Sequence, residues 1–236
     1  MSKVDAEKID LTELTTRNLN AKIKSAAEKS VDITILNPQA RHNLAVGILK
    51  PCRITFEGSV GYYCCSFSSG PEFIIKGNAG WGLGSNLMKG SIVLKRNSGS
   101  SIACSMRGGE VFVSGNVGAR AGISMKGGRL IIGGNSGYLT GYLMQKGEMI
   151  VCGDVGDDVA DSMYEGVIYV GGKIDSLGND AKLDKISESE IQLITTRLSK
   201  NGIKNKFEWK KIVSKKQLYH YDALEPMEKI SVGRSI

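Results

Sequence analysis

The sequence predicts an all-β protein: a right-handed parallel β-helix of about seven turns, a single-stranded solenoid, with short helical arms at both ends. Three observations carry this. Apolar triplets begin at Ile54, Phe73, Ile92, Val111, Leu130, Met149 and Ile168, each nineteen residues after the last, without insertion or deletion. Glycine returns at fixed phase between them. Twenty-seven of the thirty glycines lie between residues 54 and 178, so they belong to the repeat and not to the chain at large. A fixed period with glycine at fixed phase means one backbone path repeated, which divides the chain into an N-terminal arm (1–53), a solenoid (54–178) and a C-terminal helix and tail (179–236).

In the N-terminal arm, Leu11, Leu14, Leu19, Ile23 and Ala26 recur on one helical face, and VDITIL then reads as a short strand ending at Asn37-Pro38. Within the solenoid the triplets ITF, FII, IVL, VFV, LII, MIV and IYV are too short for helices and rich in β-formers. Stacked as parallel strands about 4.8 Å apart, they make the rungs. Parallel crossovers are right-handed in about 98% of cases, hence the expected hand.

Between the triplets, glycine stands four residues after each start at Gly58, Gly77, Gly115, Gly134, Gly153 and Gly172, with Arg96 the exception. It stands seven after at Gly61, Gly80, Gly99, Gly118, Gly137 and Gly156, and seventeen after at Gly90, Gly109, Gly128, Gly147 and Gly166. These are expected to be corners whose backbone angles other residues avoid. Six equal glycine turns are not a phosphate loop, which needs one special turn between a strand and a helix. Eleven after each start the residue is small, from Cys65 to Ala160, and fourteen after it is usually Met, expected in the core. Five after come Asn78, Asn97, Asn116, Asn135 and Asp154, each able to hydrogen-bond its copy on the next rung.

The C-terminal arm carries a capping box at Ser187 and Glu190 and a glycine stop at Gly202, framing a helix. The remaining tail could close the open end of the solenoid, since a bare rung exposes strand edges.

If first and third positions of each triplet face the core, the middle ones face out: Thr55, Ile74, Val93, Phe112, Ile131, Ile150 and Tyr169. Seven rungs make an apolar strip on the order of 30 Å long. A strip of that size is expected to be covered by an arm or by another subunit. Ile74, Val93, Phe112, Ile131, Ile150 and Tyr169 are therefore the candidate interface.

Charge and composition exclude several function classes. The net charge of +7 sits on the flanks, because residues 54–178 carry ten basic and ten acidic side chains. A nucleic-acid binder would concentrate its basic and aromatic residues on the folded surface, so no nucleic-acid partner is expected. No apolar run approaches the roughly 18–20 residues of a membrane span, and the first residues lack a signal peptide's apolar core, which points to the cytoplasm. Cys52, Cys64, Cys65, Cys104 and Cys152 show no metal-ligand spacing. Adjacent Cys64 and Cys65 would point to opposite faces of a strand.

Candidate chemistry is sparse. His42 and His220, one in each arm, are linked to no nucleophile motif. Asp154, Asp157, Asp158, Asp161 and Glu165 crowd one pass, where they read as a solvated or partner-facing rung before an acid–base site or cation site. Lys89, Arg107, Lys126 and Lys146 form a rough basic column, either a docking stripe or exposed turns. No catalytic, cofactor-binding or metal-binding residue is assigned. A self-sufficient enzyme using the acidic pass and His220 is the rival reading.

The passes GNAGWGLGSNLMKGSIVL, GNVGARAGISMKGGRLII and GDVGDDVADSMYEGVIYVGG resemble the GXGXG β-helix domain at the C-terminal end of the glutamate synthase large subunit. Over its length the chain is more similar to the free-standing versions, the second subunit of N-methylglutamate synthase and the GlxC proteins. The segments LNPQARHNLAVGI, GSVGYYC, GISMKGG, VCGDVGDDVADSMYEGVIYV, DSLGNDA and KQLYHYD carry that match. The resemblance implies a subunit of a hetero-oligomer. A glutamine-amidotransferase-like subunit and an FMN-binding glutamate-synthase-like subunit with an iron–sulfur cluster are the implied partners. It carries over no catalytic residue and no cofactor to this chain. A glutamate synthase β-helix subunit, or the glycine-rich β-helix subunit of formylmethanofuran dehydrogenase, is the alternative.

Overall fold

A computed structural model describes residues 7–12, 14–204 and 207–216. Among these residues eleven strands form one sheet. In chain order they are β1 (Glu7–Asp10), β2 (Ile33–Leu36), β3 (Arg53–Phe56), β4 (Ser69–Ile75), β5 (Lys89–Leu94) and β6 (Glu110–Val113). After them come β7 (Lys126–Ile132), β8 (Lys146–Val151), β9 (Val167–Val170), β10 (Ala181–Asp184) and β11 (Lys210–Ser214). Helices α1 (Thr16–Glu28) and α2 (Glu188–Lys200) flank the solenoid.

Strands β3 to β9 are the seven apolar triplets, and each pairs in parallel with the next at a nineteen-residue offset, Ile54 beside Phe73 through Met149 beside Ile168. A second side of each turn is joined by single parallel bridges, Val60 to Ala79 and on through Val155 to Ile174. The third side is no strand. Tyr63, Cys65 and Phe67 all have φ near +60°, and the pattern recurs at Ser101, Ala103 and Ser105. Along this side the N–H of Gly84 reaches the carbonyl of Cys64, and that of Ala103 reaches Leu83, so backbone groups are still paired rung to rung.

This third side corrects the expectation for Cys64 and Cys65. They do not alternate across a strand. Both are fully buried with their sulfurs 3.5 Å apart, because the backbone here alternates with left-handed residues and is not extended, so the strand rule of opposite faces does not apply. The small column lies here too. Cys65, Gly84, Ala103, Gly122, Gly141 and Ala160 all have φ between 54° and 75°. A Cβ on Gly84 would press on Ile92 Cδ1, and one on Gly122 on Met149. Size and backbone angle select the same residues.

The other glycine columns are tight for a different reason than expected. Gly115, Gly134, Gly153 and Gly172 are not in the left-handed region, and neither are Gly61, Gly80, Gly99, Gly118, Gly137 and Gly156. Their cause is space: an added Cβ would come closer than 3.0 Å to the rung beneath. The column from Gly90 to Gly166 combines positive φ with crowding, as the glycines of the small column do.

The asparagine column bonds as a ladder, though to backbone. Asn116 N–H donates to Asn97 Oδ1 at 2.8 Å, Asn135 N–H to Asn116 Oδ1 at 2.8 Å, and Lys173 N–H to Asp154 Oδ1 at 2.7 Å. Met106, Met125, Met144 and Met163 fill one core slot, with Leu87 in the same position. Ser68, the polar departure, is buried and accepts from Ile48 N–H at 3.2 Å.

The ends are capped by the arms. Strand β2 pairs in parallel with β3 at an offset of twenty-one residues, and β1 with β2, so the ladder continues into the N-terminal arm. Helix α1 starts later than the apolar spacing suggests: Thr15 is its N-cap and Leu11 lies buried after β1. It lays Leu19, Ile23, Ala26 and Ala27 on the first turn. Its Asn20 donates to Asn43 O and accepts from Ala45 N–H, both at 2.8 Å, pairing backbone groups that have no rung beneath them. At the other end β11 runs antiparallel to β9, and β10 antiparallel to β11, which ends the parallel stack.

Candidate functional site

The outward strip is the natural place for a site, and most of it is covered by the chain itself. Phe112, Ile131, Ile150 and Tyr169 are buried with Ile194 and Leu198 of α2, and Phe207 and Trp209 pack at the margin. A helix of thirteen residues spans about 20 Å, enough to cross the four rungs, whose first and last strands lie about 14 Å apart. Val93 packs at the edge of this cluster, Thr55 and Ile74 lie outside it, and all three are half-buried. Of the candidate interface, then, four residues meet the C-terminal arm and Ile74 and Val93 stay partly open.

Helix α2 is pinned by charge at two places. Arg129 bridges Glu110 at 2.7 Å and Glu148 at 2.9 Å, and Arg197 of α2 closes on the same Glu148. Burial opposes the charge on Arg129, but the two carboxylates outweigh it and hold its guanidinium more firmly protonated. At the start of α2, Glu190 takes Tyr169 Oη at 2.8 Å, Lys211 Nζ at 2.8 Å and Ser187 N–H at 2.8 Å. Lys211 first, then the Ser187 amide, bring its carboxyl down to about 2. The Tyr169 hydroxyl is pushed up by burial and then by that carboxylate. Alternating charges one residue before each triplet, Glu110, Arg129 and Glu148, were the sequence signal for this clasp, and the apolar columns had masked it.

The residues expected to bear chemistry stay apart. His42 Nδ1 accepts from Tyr62 N–H at 2.9 Å, and its ring stacks on Tyr62. His220 lies outside the described residues. Asp157 accepts from Ser176 Oγ of the next rung at 3.1 Å, and Asp161 from the adjacent Ser162 Oγ at 2.7 Å, so these carboxylates are engaged within the repeat. No cluster of three metal-ligating side chains occurs among the described residues. The five cysteines are free, and burial pushes the Cys152 thiol up to about 12. A groove beside the last rung is lined by Glu165, Lys182, Asp184, Lys215 and Lys216, a mixed-charge edge without a nucleophile–base pair. Among the described residues no helix is long and apolar enough to cross a membrane.

One surface feature was not anticipated. His42, Tyr62 and Trp81 occupy the same column on successive turns and stack, with centroids 4.4 Å and then 5.7 Å apart. Tyr63, Phe67, Met88 and Leu49 stand exposed nearby on the same turns. Reading the repeat column by column, eight residues after each start, would have found Tyr62 and Trp81, but not His42, which lies twenty residues before Tyr62.

A glycine-cornered parallel solenoid, sealed at both ends and clasped by its own C-terminal helix, is a structural class of protein before it is anything else. The GXGXG motif family matches residues 40–225, and the chain belongs to that family. It is 48% identical over 218 residues to Protein GlxC of Rhizobium meliloti (strain 1021), covering 91% of this chain and 96% of that protein. Among solved structures it is similar to a chain of the formyltransferase/hydrolase complex FhcABCD of Methylorubrum extorquens, determined with methylofuran. There the TM-score is 0.56 at 19% identity, over 83% of this chain and 84% of that one. That likeness is one of fold.

Proposed function

We propose that this chain is a non-catalytic scaffold subunit of a glutamate-synthase-like hetero-oligomer, and that the complex is N-methylglutamate synthase (methylamine–glutamate N-methyltransferase). In it the solenoid braces a glutamine-amidotransferase-like subunit against an FMN-binding synthase subunit, in the cytoplasm. The FMN and an iron–sulfur cluster belong to that synthase partner. The observation that supports this reading most is the 48% identity to GlxC along almost the whole of both chains. The structure adds a physical reason: the repeat's columns are occupied by rung-to-rung contacts, asparagine to backbone, Met to core, charge to charge. Such a body is stiff along its axis, because each turn is hydrogen-bonded to the next throughout.

The complex would exchange the amino group of glutamate for methylamine, giving N-methylglutamate and ammonia. This chain would hold the other subunits at a set spacing, with the stack from the first triplet to the last spanning about 29 Å. The test is to express the chain with the proteins encoded beside it. Co-purification, and methylamine-dependent N-methylglutamate formation that disappears when this chain alone is omitted, are the expected results. If the neighbours assemble and turn over while this chain stays alone, the scaffold reading is wrong.

A further inference from the structure

The repeat supplies its own control for which side chains the solenoid needs. Equivalent positions on successive turns meet the same backbone, so a residue present on some turns and absent on others is not there for the fold. On the first three turns the outer positions along and beside the left-handed side carry Leu49, Tyr62, Tyr63, Phe67, Trp81 and Met88, all exposed. Tyr63, Phe67 and Trp81 are 52%, 58% and 54% exposed. On the next two turns the same columns carry polar or small residues, and large apolar ones return only further on, at Tyr138, Leu139, Leu143 and Tyr164. Trp81 is succeeded by Ser100 and Ala119, Tyr63 by Ser101 and Arg120 two and three turns on, Phe67 by Ser105 and Ser124, and Met88 by Arg107 and Lys126. The backbone of these turns is the same, with positive φ at Tyr63, Ser101 and Arg120 alike. The fold does not ask for aromatic residues there.

We propose that this face of the first three turns is the docking surface for a different protein chain, one that presents an apolar patch rimmed by aspartate and glutamate. Its rim here is basic. Lys24, Lys50, Lys89 and Arg107 are exposed around it, and of these Lys50 alone lies near a carboxylate, Glu28 at 3.9 Å, among the described residues. Two copies meeting face to face would set these cations against one another, which disfavours a homodimer and favours an acidic partner. Nucleic acid is disfavoured by the rings themselves. His42, Tyr62 and Trp81 stack on each other, so faces that bases would need are already used and edges are presented. Large amphipathic rings with accessible polar edges suit a protein interface. The basic column that includes Lys89, Arg107 and Lys126 runs up the same flank and extends the electrostatic footprint beyond the apolar patch.

This inference rests on the scaffold reading and names the face that reading requires. The test takes its substitutions from the repeat: Tyr63→Ser, Phe67→Ser and Trp81→Ser, each a residue that a later turn already carries in that column. The probes are the purified amidotransferase-like and synthase-like proteins encoded beside this chain, titrated against wild type and the triple variant by sedimentation and calorimetry. The expected result is an unchanged melting profile, a loss of affinity for one of the two subunits of about tenfold or more, and wild-type binding that weakens with added salt. Undiminished binding by the folded variant overturns the inference and leaves the scaffold reading standing. Wild type that binds neither subunit overturns both. A wild-type dimer that the variant dissolves would give the face to a second copy. Protection of Trp81 from acrylamide quenching in the isolated chain would give it to the chain's own last residues. An oligonucleotide bound by wild type and released by the variant would give it to nucleic acid. Each of these three results overturns the proposal.

Discussion

Gly134 sits where the amide oxygen of Asn116, one rung below, reaches the backbone N–H of Asn135. Glycine and asparagine in adjacent columns are one device: asparagine supplies the acceptor, and glycine leaves the room it needs. The glycine is therefore required by close approach and not by its dihedral angle. Gly134→Ala would drive a methyl into Asn116 Oδ1 and the Gly115 backbone, neither of which can retreat without opening the ladder. A loss of about 1–3 kcal/mol is expected by chemical denaturation, as for other overpacked sites. Wild-type stability in that variant would show that the turn has slack. Arg96, in the same column, is exposed, and nothing in the structure explains why that turn accepts it.

At the scale of elements, α2 is the part whose packing could have gone otherwise. An amphipathic helix can dock on any apolar surface of matching length, and this one lies on the strip from Phe112 to Tyr169. Ile131 is fully buried beneath it. Ile131→Asp would place an unpaired carboxylate there, and the expected outcome is a loss of folding above about 4 kcal/mol, seen in the denaturation midpoint of the isolated chain. A variant that folds normally and fails only in assembly would mean that α2 does not cover the strip in solution. The clasp at Glu190 makes a second prediction. Its folded pKa of about 2 lies below the usual 4.5, so the carboxylate contributes stability above pH 4.5 and loses it as the pH falls toward 2. Glu190→Gln should be less stable at neutral pH and show a flatter acid limb across that window in melts followed by circular dichroism. An acid limb identical to wild type would remove Glu190 from the clasp.

For the molecule as a whole, the period made the solenoid legible and also set the limits of what could be read. Seven turns without insertion place every triplet, the Met core column and the asparagine ladder, because stacking at a constant spacing turns sequence columns into spatial ones. Strand β2 escaped the repeat because its offset to β3 is twenty-one residues instead of nineteen. The short strand was expected, but its place in the ladder was not visible. The left-handed side escaped because the equivalent segments CCSF, LGSN and IACS have no one residue type at their positive-φ positions, Cys65 and Phe67, Gly84 and Asn86, Ala103 and Ser105; only the small column hinted at it. The capping box of α2 was legible since its two hydrogen bonds are local, between Ser187 and Glu190. Tyr62 and Trp81 were present in the sequence as a column, whereas His42 joins their stack from the turn whose offset breaks the period.

By itself the sequence determined that this chain climbs in equal turns, with an apolar inside, a tight-cornered outline and helices at both ends. Those properties follow from residue types at fixed intervals, and local sterics with nearest-rung hydrogen bonding suffice to express them. Tertiary structure alone decided which apolar surface stays inside the chain and which faces outward. That choice depends on where α2 lands and on the Glu148–Arg197 and Glu190–Lys211 contacts, made between residues up to forty-nine positions apart. No period relates such residues, so only the folded arrangement could bring them together.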